Sequence, residues 1–275
     1  MIFAELRAKL DRLEPMTHDT AEKAAVAAAN TVLRVQAGSR LHGVVVDGED
    51  DSDEMGLVIE PPQYVIGLRS FEQYEYRSAG RGRRSRPDDL DYIAFSLRKW
   101  AKLAALGSPS TALALFAPDE QVIAIAWPGK ELRAHPELVV SRQFGARFLG
   151  YLERQRDGTE GMLPQRADLV SRYGYDVKYA WHALRLGYQG LELMHTGRIT
   201  LPIPDSDRAM FLDVRHGRMP KDAALDAIDQ LAGALKASID TSPLPERPDH
   251  LRLNDWLQRT YRRWWDVTIG SENGG

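Results

Sequence analysis

The spacing of hydrophobic and polar residues changes along the chain, and these changes predict its secondary structure. Apolar side chains recur every three or four residues across positions 3–13, which predicts an amphipathic helix that ends at Pro15. An alanine-rich helix is predicted over residues 18–30, with Thr17 as its N-cap. Apolar and β-branched runs then predict three strands, at residues 32–37, 55–60 and 90–95.

The second half of the chain has mostly helical spacing. A helix at residues 97–106 follows the third strand directly and is closed by Gly107. From about residue 141 onward, further helices are predicted around residues 144–152, 177–188, 223–238 and 253–265. We therefore expect an α/β (α+β) protein. A sheet domain with N-terminal helices would occupy residues 1–135, and a helical domain would occupy residues 136–275.

Composition and charge narrow the class of protein. Of the 275 residues, 43% are hydrophobic and 27% are charged, as in ordinary globular proteins. The net charge of −3 gives no overall attraction to nucleic acid, so any RNA contact needs a local basic patch. The longest apolar runs are too short to span a bilayer, and the N-terminus lacks the apolar run of a signal peptide. With no cysteine available for disulfides, we expect a cytoplasmic protein without a membrane partner.

An acidic run at residues 49–54 is the first candidate for chemistry. Such a run is by itself typical of a solvated loop. It lies between two predicted strands, however, and Asp51 and Asp53 are two residues apart, so an extended backbone points both side chains the same way. Two carboxylates on one face can bind Mg²⁺, which prefers oxygen ligands and shares them with substrate phosphates.

Two further features stand beside predicted strands. Gly38-Ser39 follows the first strand, where a glycine lets the backbone approach a ligand and a hydroxyl can hold a phosphate. Most Gly-Ser pairs are simple turns, but here the acidic pair follows 12 and 14 residues after the serine. Asp91, at the head of the third strand, either starts that strand as a capping residue or adds a third carboxylate that could accept a proton.

A cationic stripe is predicted on the helix around residue 180. Lys178, His182 and Arg185 are four and three residues apart, so they share one side of the helix. The stripe is either a solvated face or a surface that neutralises the charge of a triphosphate. The loop at residues 77–86 contains five arginines and could contact nucleic acid, although such loops are more often only solvated.

These residues resemble the polymerase-beta-like nucleotidyltransferase superfamily, whose three signature elements match Gly38-Ser39, Asp51-Ser52-Asp53 and Leu90-Asp91-Tyr92. Other motifs are similar to the predicted nucleotidyltransferases associated with RNA-repair operons, and the similarity runs from about residue 32 to 220. These motifs are Gly38-Ser39-Arg40-Leu41-His42-Gly43, Ser96-Leu97-Arg98-Lys99-Trp100, Tyr175-Asp176-x-Lys178-x-x-x-His182-x-x-Arg185-Leu186 and Glu192-Leu193-Met194-His195-Thr196-Gly197.

The resemblance implies a small mixed-sheet nucleotidyltransferase core, with the helical domain completing the active-site cleft. It also implies two-metal transfer of a nucleotide from a nucleoside triphosphate to an acceptor hydroxyl. Mg²⁺ or Mn²⁺ would be held by Asp51 and Asp53, with Asp91 in the third carboxylate position. The nucleotide would be held by the Gly38-Ser39-Arg40 turn, and we add Lys178, His182 and Arg185 as contacts of the triphosphate.

One departure from the family pattern leaves the ligand set open. In many relatives Ser-Asp-x-Asp runs directly into the strand, whereas here Ser52-Asp53 is followed by Glu54-Met55. If Asp53 is the first acid, Met55 occupies the second position and the metal site is impaired. The Asp51/Asp53 assignment keeps an Asp-x-Asp pair, and Glu54 is a candidate substitute ligand.

The sequence thus predicts a metal-dependent nucleotidyltransferase that releases pyrophosphate. An RNA end, a small molecule or a protein could be the acceptor. The alternative, from a different class, is a non-catalytic RNA-binding or partner-binding module built on a degenerate core. The preferred nucleotide and the oligomeric state do not follow from the sequence.

Overall fold

The computed structural model describes residues 18–46, 52–80, 86, 89–159 and 167–272. The predicted helix at residues 3–13, the predicted N-cap Thr17 and residues 81–85 of the arginine-rich loop lie outside these ranges. In the first part of the chain the elements are α1 (Ala21–Asn30), β1 (Thr31–Gln36), α2 (Gly38–His42), β2 (Ser52–Val58), β3 (Gln73–Arg77), β4 (Leu90–Ser96), α3 (Leu97–Ala105), α4 (Pro109–Phe116), β5 (Val122–Ile125) and α5 (Trp127–Ala134).

The rest of the described chain is helical. Its elements are α6 (Arg142–Gly158), α7 (Ala167–Tyr173), α8 (Val177–Thr196), α9 (Asp205–Arg215), α10 (Lys221–Thr241) and α11 (His250–Glu272). None of the described helices is both long enough and apolar enough to cross a membrane. The fold class predicted from the sequence, a mixed-sheet core with a large helical part, is confirmed.

Local capping chemistry determines where several helices begin. The Thr20 side chain accepts a hydrogen bond from the Lys23 amide at 3.2 Å, so α1 begins at Ala21 rather than at residue 18. Ser96 caps α3 in the same way. Asp176, which the sequence places within a helical pattern, is instead the N-cap of α8 and accepts from the amides of Lys178 and Tyr179.

The five strands form one mixed sheet in the order β3-β4-β2-β1-β5. Strands β2 and β4 are parallel neighbours, and the other adjacent pairs are antiparallel. One face of the sheet packs on a small cluster that includes Val26 and Ala27 of α1. The other face belongs to the main core, which continues from Leu33 and Leu57 to Leu184 and Phe211 in the helical part. The division into domains at residues 135/136 stays a prediction.

The last helix returns to the sheet. Tyr261 of α11 donates its hydroxyl proton to the buried carboxylate of Glu60 at 2.6 Å, and the indole of Trp265 donates to the Glu60 carbonyl at 3.0 Å. The Tyr261 oxygen in turn accepts from the Arg98 amide at 3.0 Å. These contacts fix α11 against the segment that follows β2 and against the start of α3.

Candidate active site

A cleft of ≈ 600 Å³ lies between one end of the sheet and helices α8 and α9. Residues from the sheet side and from the helical side face each other across it. The predicted site residues in its lining are Gly38, Ser39, Asp53, Asp91, Lys178, His182 and Arg185. Residues that are almost 150 positions apart in sequence therefore share one concave surface.

Two carboxylates stand side by side at the sheet end of the cleft. Asp53 near the start of β2 is the direct register partner of Asp91 in the parallel strand β4. Residues at matching positions of neighbouring strands point to the same face, so both side chains are directed into the cleft. Asp51, which the sequence pairs with Asp53, lies outside the described residues.

The turn after β1 touches the first of these carboxylates. Gly38 has a φ of +63°, and a Cβ atom built on it would lie 2.0 Å from Oδ2 of Asp53. Only glycine combines this backbone conformation with so close an approach. The Ala37 amide also donates to the Asp53 carbonyl at 2.8 Å, which locks the turn to β2. The N-cap of α2 is Ala37, which has no side-chain acceptor for the amides of the first turn.

The neighbouring charges show which carboxylates are already engaged. The guanidinium of Arg77 binds both oxygens of Asp91, at 3.1 Å to Oδ1 and 2.9 Å to Oδ2. Glu54 alternates to the opposite face from Asp53 and forms an ion pair with Arg34 of β1. Met55 shares the face of Asp53, lines the cleft and is only 6% exposed. Its thioether is a poor ligand for a hard cation such as Mg²⁺.

The opposite wall of the cleft is cationic. Among the residues that the structure describes, the ammonium group of Lys178 has no hydrogen-bond or ion-pair partner. Arg185 donates to the Gln189 side chain at 3.0 Å and lies over the ring of Trp181 at 5.7 Å. Burial lowers the pKa of Arg185 to about 10, so it remains charged at neutral pH. The predicted stripe therefore lines the cleft that contains Asp53 and Asp91.

Arg40 lies apart from this arrangement. It is exposed, is absent from the cleft lining, and its backbone carbonyl accepts from Gln121 at 3.4 Å. The helical phase of the short α2 accounts for this, since Ser39 and His42 line the cleft while Arg40 turns outward.

Three further basic residues line the cleft without a site role in the sequence prediction. Arg77 was visible only as part of the arginine-rich loop, but its backbone belongs to β3. His42 stands within the glycine-serine motif without a predicted role. Arg215 of α9, 7% exposed, donates to the Val44 carbonyl and lies 5.8 Å from the Trp181 ring. No local pattern distinguishes Arg215 from the other arginines, since α9 meets the cleft only through the tertiary fold.

Comparison with known proteins places the chain in a family. The model of the RNA repair pathway DNA polymerase beta family matches residues 7–259, which is most of the sequence. A crystal structure of a nucleotidyltransferase-like protein from Exiguobacterium sibiricum covers 88% of this chain and 78% of its own, with 15% identity and a TM-score of 0.30. A similarity at that TM-score is too weak to indicate a shared fold. No curated protein matches the sequence.

The family match is independent of the cleft geometry and agrees with it. It covers the Gly38-Ser39 turn, both described carboxylates and the cationic stripe of α8. The resemblance inferred from the short motifs is thereby confirmed, as is the prediction of an enzyme. The chain belongs to the RNA repair pathway DNA polymerase beta family, within the polymerase-beta-like superfamily, and is a nucleotidyltransferase.

Proposed function

We propose that the protein moves a nucleoside monophosphate from a nucleoside triphosphate to an acceptor hydroxyl, with a divalent metal ion bound at the carboxylates. The observation that carries this proposal is the in-register pair Asp53 and Asp91, which faces a wall of cations across one cleft. Negative groups that can hold a metal and positive groups that can hold phosphates are the two parts that such a transfer needs.

The donor set fits a hard divalent cation. Among the described residues there is no cluster of three or more His, Asp or Glu placed to hold a metal ion. Asp53 and Asp91 nevertheless offer hard oxygen ligands, and Mg²⁺ commonly takes one or two carboxylates and completes its shell with substrate phosphates and water. When bound, the metal would supply positive charge beside the reacting phosphate. Asp51 is the proposed additional ligand.

The ion pair between Arg77 and Asp91 has a consequence for that ligand set. Each oxygen of Asp91 already accepts one hydrogen bond from the guanidinium, whose positive charge opposes a cation at the same carboxylate. Arg77 is half-exposed, which leaves it room to move to another anion. A bound triphosphate or the acceptor backbone supplies such an anion within the same cleft.

The cationic wall would hold the triphosphate. Lys178 lines the cleft and is placed to offset the charge that develops on the pyrophosphate leaving group, because no described residue pairs with its ammonium. Ser39 and the first-turn amides of α2 would hold the phosphates from the sheet side, next to Asp53. The acceptor hydroxyl would then attack the α-phosphorus and pass its proton to Asp91, while the bond to pyrophosphate breaks.

An RNA end is the acceptor that we favour, since the family is named for RNA repair. The predicted domains at 1–135 and 136–275 would form the two walls around it. A second candidate function, a binding module on a degenerate core, is favoured by Met55 in the cleft, where a second strand carboxylate would complete an Asp-x-Asp pair.

The experiment that tests this function traces the labelled α-phosphate of the nucleotide to its acceptor. The protein is incubated with each α-³²P nucleoside triphosphate, Mg²⁺ or Mn²⁺, and total RNA, and the label is located on RNA, protein or small molecules. We expect the label on RNA and the release of unlabelled pyrophosphate. Asp53→Asn should abolish the labelling and the release while retaining the wild-type melting temperature. Full transfer by Asp53→Asn would disprove the metal-site assignment. RNA binding without transfer by the wild type would favour the binding module.

A further inference from the structure

A buried chain of three side chains connects α8 to α2 beneath the cleft. Arg185 donates from its terminal nitrogen to Oε1 of Gln189 at 3.0 Å. The Nε2 atom of Gln189 lies 3.1 Å from Nδ1 of His42. Gln189 is fully buried and His42 is 3% exposed, so each polar group here requires a partner.

The directions of these two hydrogen bonds determine which ring nitrogen of His42 carries the proton. An arginine guanidinium only donates hydrogen bonds, so the atom of Gln189 that faces it must be the carbonyl oxygen. The amide NH₂ of Gln189 therefore faces His42 and donates to Nδ1. A ring nitrogen that accepts carries no proton, so the neutral imidazole of His42 has its hydrogen on Nε2.

The surroundings keep this imidazole uncharged. Burial, followed by the positive charges of Arg185 and His182 on α8, holds the pKa of His42 well below its usual value. Trp181 covers the ring edge-on, with the two ring centroids 5.8 Å apart. The guanidinium groups of Arg185 and Arg215 line the same cleft, so protonation of His42 would add another charge to an already cationic wall.

The second ring nitrogen is left for a ligand. Nε2 of His42 has no hydrogen-bond partner within the described parts of the chain, and His42 lies in the cleft lining together with Ser39. We propose that His42 is an uncharged N–H donor to the phosphate chain bound in this cleft, and that Gln189 is the positioning residue that holds it in that tautomer. The inference rests on the proposed function for the identity of the anion.

The role is distinct from those of the surrounding cations. Lys178 attracts phosphate as a point charge at any position within reach, whereas a neutral N–H donor bonds an oxygen only in a defined direction. His42 stands three residues after Ser39 on the same short helix, so the two side chains would hold the phosphate chain from one rigid element. Gln189 links this element to Arg185 on the opposite wall.

The first test reads the tautomer in the intact protein. In protein with ¹⁵N-labelled histidine, two-bond ¹H–¹⁵N spectra distinguish a proton on Nε2 from one on Nδ1. We expect the Nε2–H form for His42 at pH 7. In Gln189→Glu the new carboxylate can only accept, so the proton should move to Nδ1 or the ring should become charged. A wild-type His42 that is protonated on Nδ1 would overturn the proposal without any reference to activity.

The second test measures anion binding by calorimetry, with inorganic tripolyphosphate and Mg²⁺ as the probe. His42→Phe keeps a ring against Trp181 but removes the donor, and we expect it to weaken binding on the order of tenfold or more. His195→Gln, a change of an exposed histidine on α8, is the matched control and should bind as the wild type does.

The outcomes separate this inference from the proposed function. If the wild type binds tripolyphosphate and His42→Phe binds equally well, the role of His42 is refuted and the proposed function stands. If the wild type shows no binding, the proposed function fails and the role of His42 fails with it. A weaker His42→Phe together with the Nε2–H tautomer supports the proposal.

Discussion

Replacing Gly38 with alanine tests the contact between the α2 turn and the Asp53 carboxylate. The added methyl group has two costs. At a φ of +63° an L-residue costs about 1–2 kcal/mol relative to glycine. The new Cβ atom would also lie 2.0 Å from Oδ2 and 2.8 Å from Cγ of Asp53, so one of the two groups must move.

The size of that movement sets the expected loss of activity. Restoring ordinary contact distances requires the carboxylate to shift by roughly 1.4–2 Å. A displacement of about 1 Å at a reacting centre lowers a rate roughly 100-fold. We therefore expect Gly38→Ala to lose at least about two orders of magnitude in nucleotide transfer. The unfolding free energy should fall by about 1–2 kcal/mol for the backbone and by about 1–3 kcal/mol more for the collision.

Gly174→Ala supplies the matched control. Gly174 has a φ of +81°, but nothing lies within 4 Å of the position that its Cβ would take. It therefore has the backbone cost without the collision. Denaturant unfolding should show only the backbone cost in Gly174→Ala, and transfer of labelled nucleotide should fall only in Gly38→Ala. Equal transfer rates in the two variants would refute the proposed contact between the turn and a functional carboxylate.

Three other predictions concern binding and stability. Ser39→Ala should weaken triphosphate binding by roughly 1–2 kcal/mol, because one hydrogen bond to a charged group is lost; unchanged affinity by calorimetry would contradict the assignment. Tyr261→Phe should lower the unfolding free energy by about 1–3 kcal/mol in denaturant titrations, because the buried Glu60 carboxylate loses the tyrosine donor. Adding Glu60→Gln to this variant should restore part of the lost unfolding free energy. Because the pKa of His42 is lowered in the folded protein, the unfolded chain takes up its proton first as the pH falls below about 6.5. Stability should therefore decline from pH 7 to 5.5, and His42→Phe should show a shallower decline; an identical slope would contradict the burial of a neutral ring.

The sequence predicted the central strands because they are apolar. Strands β1, β2 and β4 lie in the middle of the sheet, and each was placed within about three residues of its observed start. The edge strands were missed. In β3 the alternating polar residues resemble a loop, and β5 has only four residues, two of them exposed. Edge strands bury less apolar surface, so their pattern is weaker.

The residues of the candidate site that stand in short motifs could be predicted, whereas contacts between residues far apart in sequence could not. The resemblance supplied Ser39, Asp53, Asp91 and the stripe of α8, because each stands in a short motif. The in-register pairing of Asp53 with Asp91 could not be predicted, since it depends on the parallel alignment of two strands that are separated by β3. The partner of His42 is likewise 147 residues away in sequence.

The contact between the last helix and Glu60 also bears on how the protein folds during synthesis. Tyr261 and Trp265 follow Glu60 by 201 and 205 residues. At translation rates of about 5–20 residues per second, Glu60 is made roughly 10–40 s before either partner exists. Any sheet that forms before Tyr261 has been made therefore has this carboxylate open to water. Docking of α11 then closes a loop of 201 residues between Glu60 and Tyr261, and it can occur only after Tyr261 has been translated.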